Sequence, residues 1–407
     1  MSTRARAAAG AFVTLAVLLA VSSAAVQPTT PGPVQPGAVQ PVAPGTLLAG
    51  RLPSLKLVPP LPQARSVEYA GNGRIEVAHA LLLVAKPDLT RPRLLALAQA
   101  AVARAFAARP SLSEVDVSEF EASGYAGPGG PLPAFTASVP VARQAAFLVL
   151  KPANMDDFDR LWVNAAPDPA IRDLTPSGDL EVDAKPSGTT AELTAIQALK
   201  LNAEIRGGSA GGMILHGDRK GKVIALTFDD APHPMYEPLL LDDLRAAGAH
   251  ATFFVVGRNA RAYPYFLRDM IAGGHEVANH TYHHVRLNTL SQAATTEELS
   301  LANQVITSIT GRAARYFRPP GGRYTPVTLR AATALGLTTA FWTDDPADYT
   351  NRPGETIETK LQRLLRPGGI ILLHDNVLNT IQELPDFLKD EAKAGLRLET
   401  LATLAGF

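Results

Sequence analysis

Two adjacent carboxylates, Asp229 and Asp230, end the apolar run KVIALTFDDAP, Lys222 to Pro232. Val223 to Phe228 is long enough for a buried strand and too short for a typical buried helix, so both carboxylates fall at the C-terminal end of a strand. Parallel α/β folds keep their chemistry there. Neighbouring residues at a strand end point in different directions, so one carboxylate can hold a metal while the other takes a proton. The same pair can instead cap the following helix, and other residues must decide. His280 and His284, in NHTYHHVRL, stand four residues apart. That spacing puts both imidazoles on one face of a helical turn, within reach of one cation. Two histidines and one aspartate form a facial set that leaves positions for water and substrate. His283 is the off-face neighbour and is given no role.

These residues need a frame. From Lys222 onwards, strand patterns at Val223–Phe228, Ala251–Val256, Glu276–Ala278, Tyr316–Arg318, Thr338–Trp342, Gly369–His374 and Leu396–Thr400 alternate with helical ones. The helical stretches are Tyr236–Ala247, Asn259–Ala272, Thr295–Ile309, Pro326–Leu335, Thr356–Leu365 and Thr380–Ala394. This alternation predicts an α/β fold, a distorted parallel (β/α) barrel with about seven strands or, failing that, a doubly wound sheet.

The chain before it divides by composition. Residues 1–25 have the order of a signal peptide: Arg4 and Arg6, an apolar run, then Ser23-Ala24-Ala25. The run falls short of the ~20 residues of a membrane span, so no stable span is expected. Residues 26–62 read as a proline-rich linker. Residues 63–165 read as a small α+β domain, with strands at Arg74–Lys86, Ser113–Glu121 and Gln144–Leu150 and a helix at Thr90–Ala108. Its histidine, His79, reads as a packed strand residue. Residues 166–220 read as a connecting segment with a short helix from Thr190 to Leu201, and residues 221–407 as the catalytic domain. Between its soft flanks the α+β domain is expected to fold separately, to place the enzyme on a polymer or partner, and to be dispensable in a chain beginning near Gly208.

Lysine plus arginine equals aspartate plus glutamate, 38 each, so nothing global argues for nucleic acid. The chain has no cysteine, which excludes disulfides and a lipidated cysteine. Nothing in the sequence sets an oligomeric state.

TFDDAP, HTYHH, RPPGG, DPADY and LLHD, in that order, resemble the five signature blocks of the polysaccharide deacetylases of carbohydrate esterase family 4, the NodB-like deacetylase domain. The resemblance covers about Lys222 to Phe407. It implies that Asp229 is the catalytic base and that Asp230, His280 and His284 hold a divalent metal. Zinc is the expected ion, with cobalt, nickel and manganese as alternatives. It implies that His374 protonates the leaving amine, that Asp348 raises the pKa of His374, and that Arg318 pairs with Asp348 in turn. It implies an oxyanion donor in the backbone N–H of Gly321 and an acetyl-methyl pocket lined by Leu372. Three residues depart from the pattern: Ala231 stands for the usual glycine, Gly321 for the common tyrosine, and Tyr349 for the tryptophan beside the acyl pocket. The expected activity is an exported metal-dependent removal of N-acetyl groups from an amino-sugar polymer such as peptidoglycan, chitin or exopolysaccharide. Hydrolysis of another acyl bond, or carbohydrate binding without catalysis, are the alternatives.

Overall fold

The computed structural model describes residues 52–127, 130–169, 186–349 and 356–406. The expected signal segment and most of the proline-rich linker lie outside the described residues. No helix among the described residues is long and apolar enough to cross a membrane.

The first part consists of β1 (Ala64–Gly71), β2 (Glu76–Val84), α1 (Arg91–Ala108), β3 (Glu114–Glu121), β4 (Phe135–Pro140), α2 (Gln144–Leu148) and β5 (Leu161–Val163). Its strands form one sheet in chain order, with β2 and β3 parallel and the other neighbours antiparallel. The parallel pair requires a crossover, and α1 supplies it. Gln144 to Leu150, expected as a strand, opens as a helix instead. Good helix formers run through Gln-Ala-Ala-Phe-Leu, and Phe147 alone of the five is fully buried, against Phe158 at 5.2 Å. The linker also ends earlier than expected. Ser54 bridges Glu68, and Leu57 and Leu61 are buried in the core shared by the sheet and α1.

The other face of this sheet rests on the second part of the molecule. On β3, Asp116 accepts the N–H of Met235 at 3.0 Å and Ser118 Oγ lies 3.0 Å from the hydroxyl of Tyr263. Arg160 bridges Glu114 at 3.0 Å and Asp269 at 2.6 Å, and Arg74 reaches both Asp242 and Asp243. Leu132 and Trp162 pack against Tyr263, Tyr265 and Phe266. A chain beginning near Gly208 would uncover that apolar face. Re-exposure costs about 1.5–3 kcal/mol for each large side chain fully returned to water, against a total stability of about 5–15 kcal/mol. The shortened chain is therefore expected to aggregate or to melt well below the full chain in a thermal scan by circular dichroism; an unchanged Tm would speak for a separate module.

The second part runs α3 (Thr190–Ile205), β6 (Ser209–Ala210), β7 (Met213–Ile214), β8 (Val223–Ala231), α4 (Tyr236–Ala247), β9 (Thr252–Val255), α5 (Gly257–Ala262), α6 (Pro264–Ala272) and β10 (Glu276–Asn279). It continues with α7 (Gln292–Thr310), β11 (Tyr316–Phe317), α8 (Pro326–Ala334), β12 (Thr338–Ala340), α9 (Ile357–Leu364), β13 (Ile370–His374), α10 (Leu378–Ala394), β14 (Arg397–Glu399) and α11 (Leu401–Leu404). The sheet order is β13-β8-β9-β10-β11-β12-β7-β6, parallel throughout except for β6. Beyond β12 the chain returns to β13, where Asp344 bridges Ile371 and Thr343 donates to Ile370 O at 3.0 Å, so the sheet curls into a distorted (β/α) barrel.

All seven expected strands are present, and the connecting segment adds an eighth to the parallel set. Met213 and Ile214 of β7 pair with Thr339 and Ala340 of β12, while Ile196 of α3 packs with Met213, Tyr324 and Phe341. Two residues beside a Gly-Gly pair carry no periodicity to detect. The expected helix Asn259–Ala272 is two, because Pro264 opens a new one after Tyr263.

Candidate active site

β8 delivers Asp229 and Asp230 to the C-terminal end of the barrel, both buried. The register slips between Asp229 and Ala231, and Asp230 has φ +73, a bulge that turns the second carboxylate away from the first. Thr281 and His284, with φ +66 and +57, are further non-glycine residues in this left-handed region. Such conformations cost about 1–3 kcal/mol each and persist only where surroundings hold them.

The histidines follow β10 in a loop and not on the helical turn their spacing suggested. Asn279 shapes that loop, since its Oδ1 accepts the N–H of Thr281 at 2.8 Å while its Nδ2 is anchored on Leu299 O at 2.9 Å. His280 Nδ1 lies 2.8 Å from Arg318 O, which makes it the donor to that carbonyl and leaves Nε2 with its lone pair towards the carboxylates. His280 Nε2 is 3.6 Å from Asp230 Oδ1 and His284 Nε2 is 3.0 Å from it. Ligand atoms of Asp230, His280 and His284 all lie within 4.8 Å of one another. Asp230 Oδ1 is buried and accepts no hydrogen bond, so the set fits a divalent cation by donor type and by an oxygen otherwise left unsatisfied. Burial opposes ionisation of Asp230, but His284, His374 and His280 outweigh it and hold the carboxyl well below its ordinary range. Burial lowers His280 to about 4 and keeps it neutral, as a ligand must be.

His283 is not the bystander its position suggested. Its Nδ1 is 2.6 Å from Glu298 Oε1 and its Nε2 is 2.8 Å from Pro169 O, so it ties the ligand loop to α7 and to the chain leaving the first sheet.

Arg318 is fully buried and binds Asp229 Oδ1 at 2.7 Å and Thr227 Oγ1 at 2.9 Å, over the Phe254 ring at 4.1 Å. This corrects the expected pairing of Arg318 with Asp348, whose oxygens are taken elsewhere. Asp348 Oδ1 is 2.8 Å from His374 Nδ1, and its Oδ2 accepts the His374 N–H and the Thr380 hydroxyl, each at 2.7 Å. Burial pulls the His374 pKa down, but Asp348, with Asp230 and Asp229 behind it, raises it to about 10. His374 pairs with Asp229 across β13 and β8.

The polysaccharide deacetylase family matches residues 216–340 of this chain. A peptidoglycan-N-acetylglucosamine deacetylase of Bacillus cereus is 33% identical over 188 residues, 45% of this chain and 88% of that protein. This chain belongs to the polysaccharide deacetylase family. It is thus a hydrolase of carbon–nitrogen bonds other than peptide bonds. A chitooligosaccharide deacetylase of Bradyrhizobium sp. is 39% identical over 163 residues, 39% of this chain and 74% of that protein. Among solved structures, the peptidoglycan deacetylase PdaC of Bacillus subtilis is 32% identical with a TM-score of 0.43, covering 46% of this chain and 91% of that one.

The three departures from the deacetylase pattern have simple settings. Ala231 stays in extended pairing with Val255, so the strain of the strand end falls on Asp230 and an alanine fits. Gly321 has φ +61 in the turn after β11, and a side chain there would be strained. Tyr349 meets His374 edge-on at 5.3 Å, and Leu372 shares the inward face of β13 with His374 two residues on. Thr227, Thr380 and Asn376, whose Nδ2 donates to Asp230 Oδ2 at 3.2 Å, also reach the site. Single polar residues on apolar runs gave no signal for them.

The pair His374–Asp348 sets a pH dependence. A histidine raised from 6.5 to about 10 is protonated at neutral pH, and the stability it contributes is present below 6.5 and lost as pH rises through about 10. Asp348→Asn removes the main raising partner while keeping the shape. The alkaline limb of kcat against pH is expected to move to lower pH by about 1–3 units; a limb that does not move would separate Asp348 from the proton donor.

Proposed function

We propose that this chain is an exported, metal-dependent N-deacetylase of amino-sugar polymers. The observation that carries the reading is the placement of Asp229 and His374 side by side on adjacent strands, a base and an acid, next to the Asp230, His280 and His284 set. Those three residues would hold a divalent cation, zinc before cobalt, nickel or manganese, which when bound polarises a carbonyl and lowers the pKa of water. Asp229, oriented by Arg318, takes the proton of the water that attacks the acetamide carbon. The backbone N–H of Gly321 faces the developing oxyanion, and Leu372 and Tyr349 border the methyl group. His374, kept charged by Asp348, protonates the departing amine. Water adds to the carbonyl carbon, the C–N bond breaks, and acetate and a free amine leave. Arg4 and Arg6, the apolar run and Ser23-Ala24-Ala25 support export to the cell envelope or beyond it.

The test is acetate release by the metal-loaded full chain from peptidoglycan, chitooligosaccharides and an N-acetylated exopolysaccharide. Release from at least one, lost on chelation, is expected; release only from O-acetylated glycans, or from none, would overturn the reading.

A further inference from the structure

Next to the candidate site, a cleft of about 340 Å³ runs between the barrel and the first sheet. It is lined by His284 and Asn259 from the barrel and by Glu68, His79, Phe120 and Tyr125 from the first part of the chain. We propose that this cleft is a glycan subsite, and that the N-terminal sheet grips the sugar residues flanking the one that reacts. This rests on the deacetylase reading and adds a substrate-length determinant that lies outside the matched residues 216–340.

Three observations favour a neutral glycan as the occupant. The first is continuity: the cleft opens on His284, whose Nε2 is 3.0 Å from Asp230 Oδ1, so a chain reacting there extends into it. The second is its lining. Phe120 and Tyr125 meet edge to face at 5.1 Å and are both half-buried, and His233 stacks on Tyr236 at 4.5 Å. The part-exposed rings of Phe120 and Tyr125 suit the C–H faces of a pyranose, and a few polar groups among apolar ones fix orientation. The third is charge. Arg258, the cation of the lining, is engaged by Asp168 at 3.0 Å and by Gly130 O at 2.6 Å, and burial holds His79 and His233 neutral. Arg65 lies over the Tyr125 ring at 5.9 Å, and within the lining itself a polyanion would meet Glu68 and an Arg258 already paired, whereas a neutral sugar meets acceptors and rings.

The floor of the cleft depends on the same sheet. Met235 has φ +76, and the Asp116 carboxylate of β3 accepts its N–H at 3.0 Å. The sheet therefore holds the turn that follows the paired aspartates, in a conformation that is unfavourable without such support.

Initial rates on chitooligosaccharides from the disaccharide to the pentasaccharide test the proposal, using the full chain loaded with zinc and its Phe120→Ala, Tyr125→Ala and Glu68→Gln variants. In the wild type, kcat/KM should rise with chain length. Each variant that keeps its Tm and zinc content should lose about tenfold in kcat/KM on the pentasaccharide, through KM, and little on the disaccharide. Equal losses on both substrates, or no loss in any of the three, would overturn the subsite and leave the deacetylase reading standing. If the wild type deacetylates none of them, that reading fails on this substrate, and calorimetric titration of the pentasaccharide decides the cleft alone. Binding that weakens in Phe120→Ala then supports it; no binding, or binding unchanged in the variants, sinks it.

Discussion

Asp229→Asn is expected to retain its metal and to lose about 10²–10⁴-fold in turnover. The substitution keeps the volume and one acceptor for Arg318, so the site stays filled, but an amide cannot take a proton from water. The geometry alone leaves the two carboxylates close rivals: His280 Nε2 is 3.7 Å from Asp229 Oδ2 and 3.6 Å from Asp230 Oδ1. Two other contacts separate them. Asp229 already carries a full counter-ion in Arg318, whereas Asp230 Oδ1 accepts no hydrogen bond and faces His284 at 3.0 Å. Neutralising Asp229 leaves the Arg318 guanidinium buried without its charge partner, which costs about 3–5 kcal/mol. Turnover must therefore be measured well below the lowered Tm, with metal content by atomic emission on the same sample. Full turnover would remove Asp229 as the base, and loss of the metal would make it a ligand instead.

Much of the barrel and the site was legible because the signals were long or doubled. Apolar runs ending in polar residues located β8 and β13, and Asp229, Asp230, His280, His284 and His374 all arrive at one end of the barrel, as strand-end residues must. Pairings were harder. Arg318 was assigned to Asp348 but meets Asp229, since a sequence orders residues along the chain and not across the sheet. His280 and His284 converge through left-handed Thr281 and His284, which spacing reads as a helical turn. What covers β3 was not legible. Its alternation, EVDVSEFE, is that of a strand with one face in water, yet Asp116 and Ser118 are fully buried because the barrel brings Met235 N and the Tyr263 hydroxyl to meet them. A polar face covered by a polar partner has the pattern of an exposed one.

Asp230→Ala should abolish stoichiometric metal binding and with it acetate release, and the loss should also be visible without any substrate. A cation that binds only the folded chain stabilises it by about 2.7 kcal/mol when present at a hundredfold over its Kd, so wild-type Tm is expected to rise with added zinc and fall with a chelator. The variant keeps two imidazoles, but it has lost the anionic oxygen that alone offsets the cation's charge within the set, and its Tm should respond to neither addition. Protons compete with the metal for the same atoms. His280 does not enter that competition until the pH nears about 4, and Asp230 stays ionised below its ordinary range, so neither should release the metal at mildly acidic pH. Zinc retained stoichiometrically by Asp230→Ala, with a chelator-sensitive Tm, would move the cation to another donor set and detach Asp230 from it.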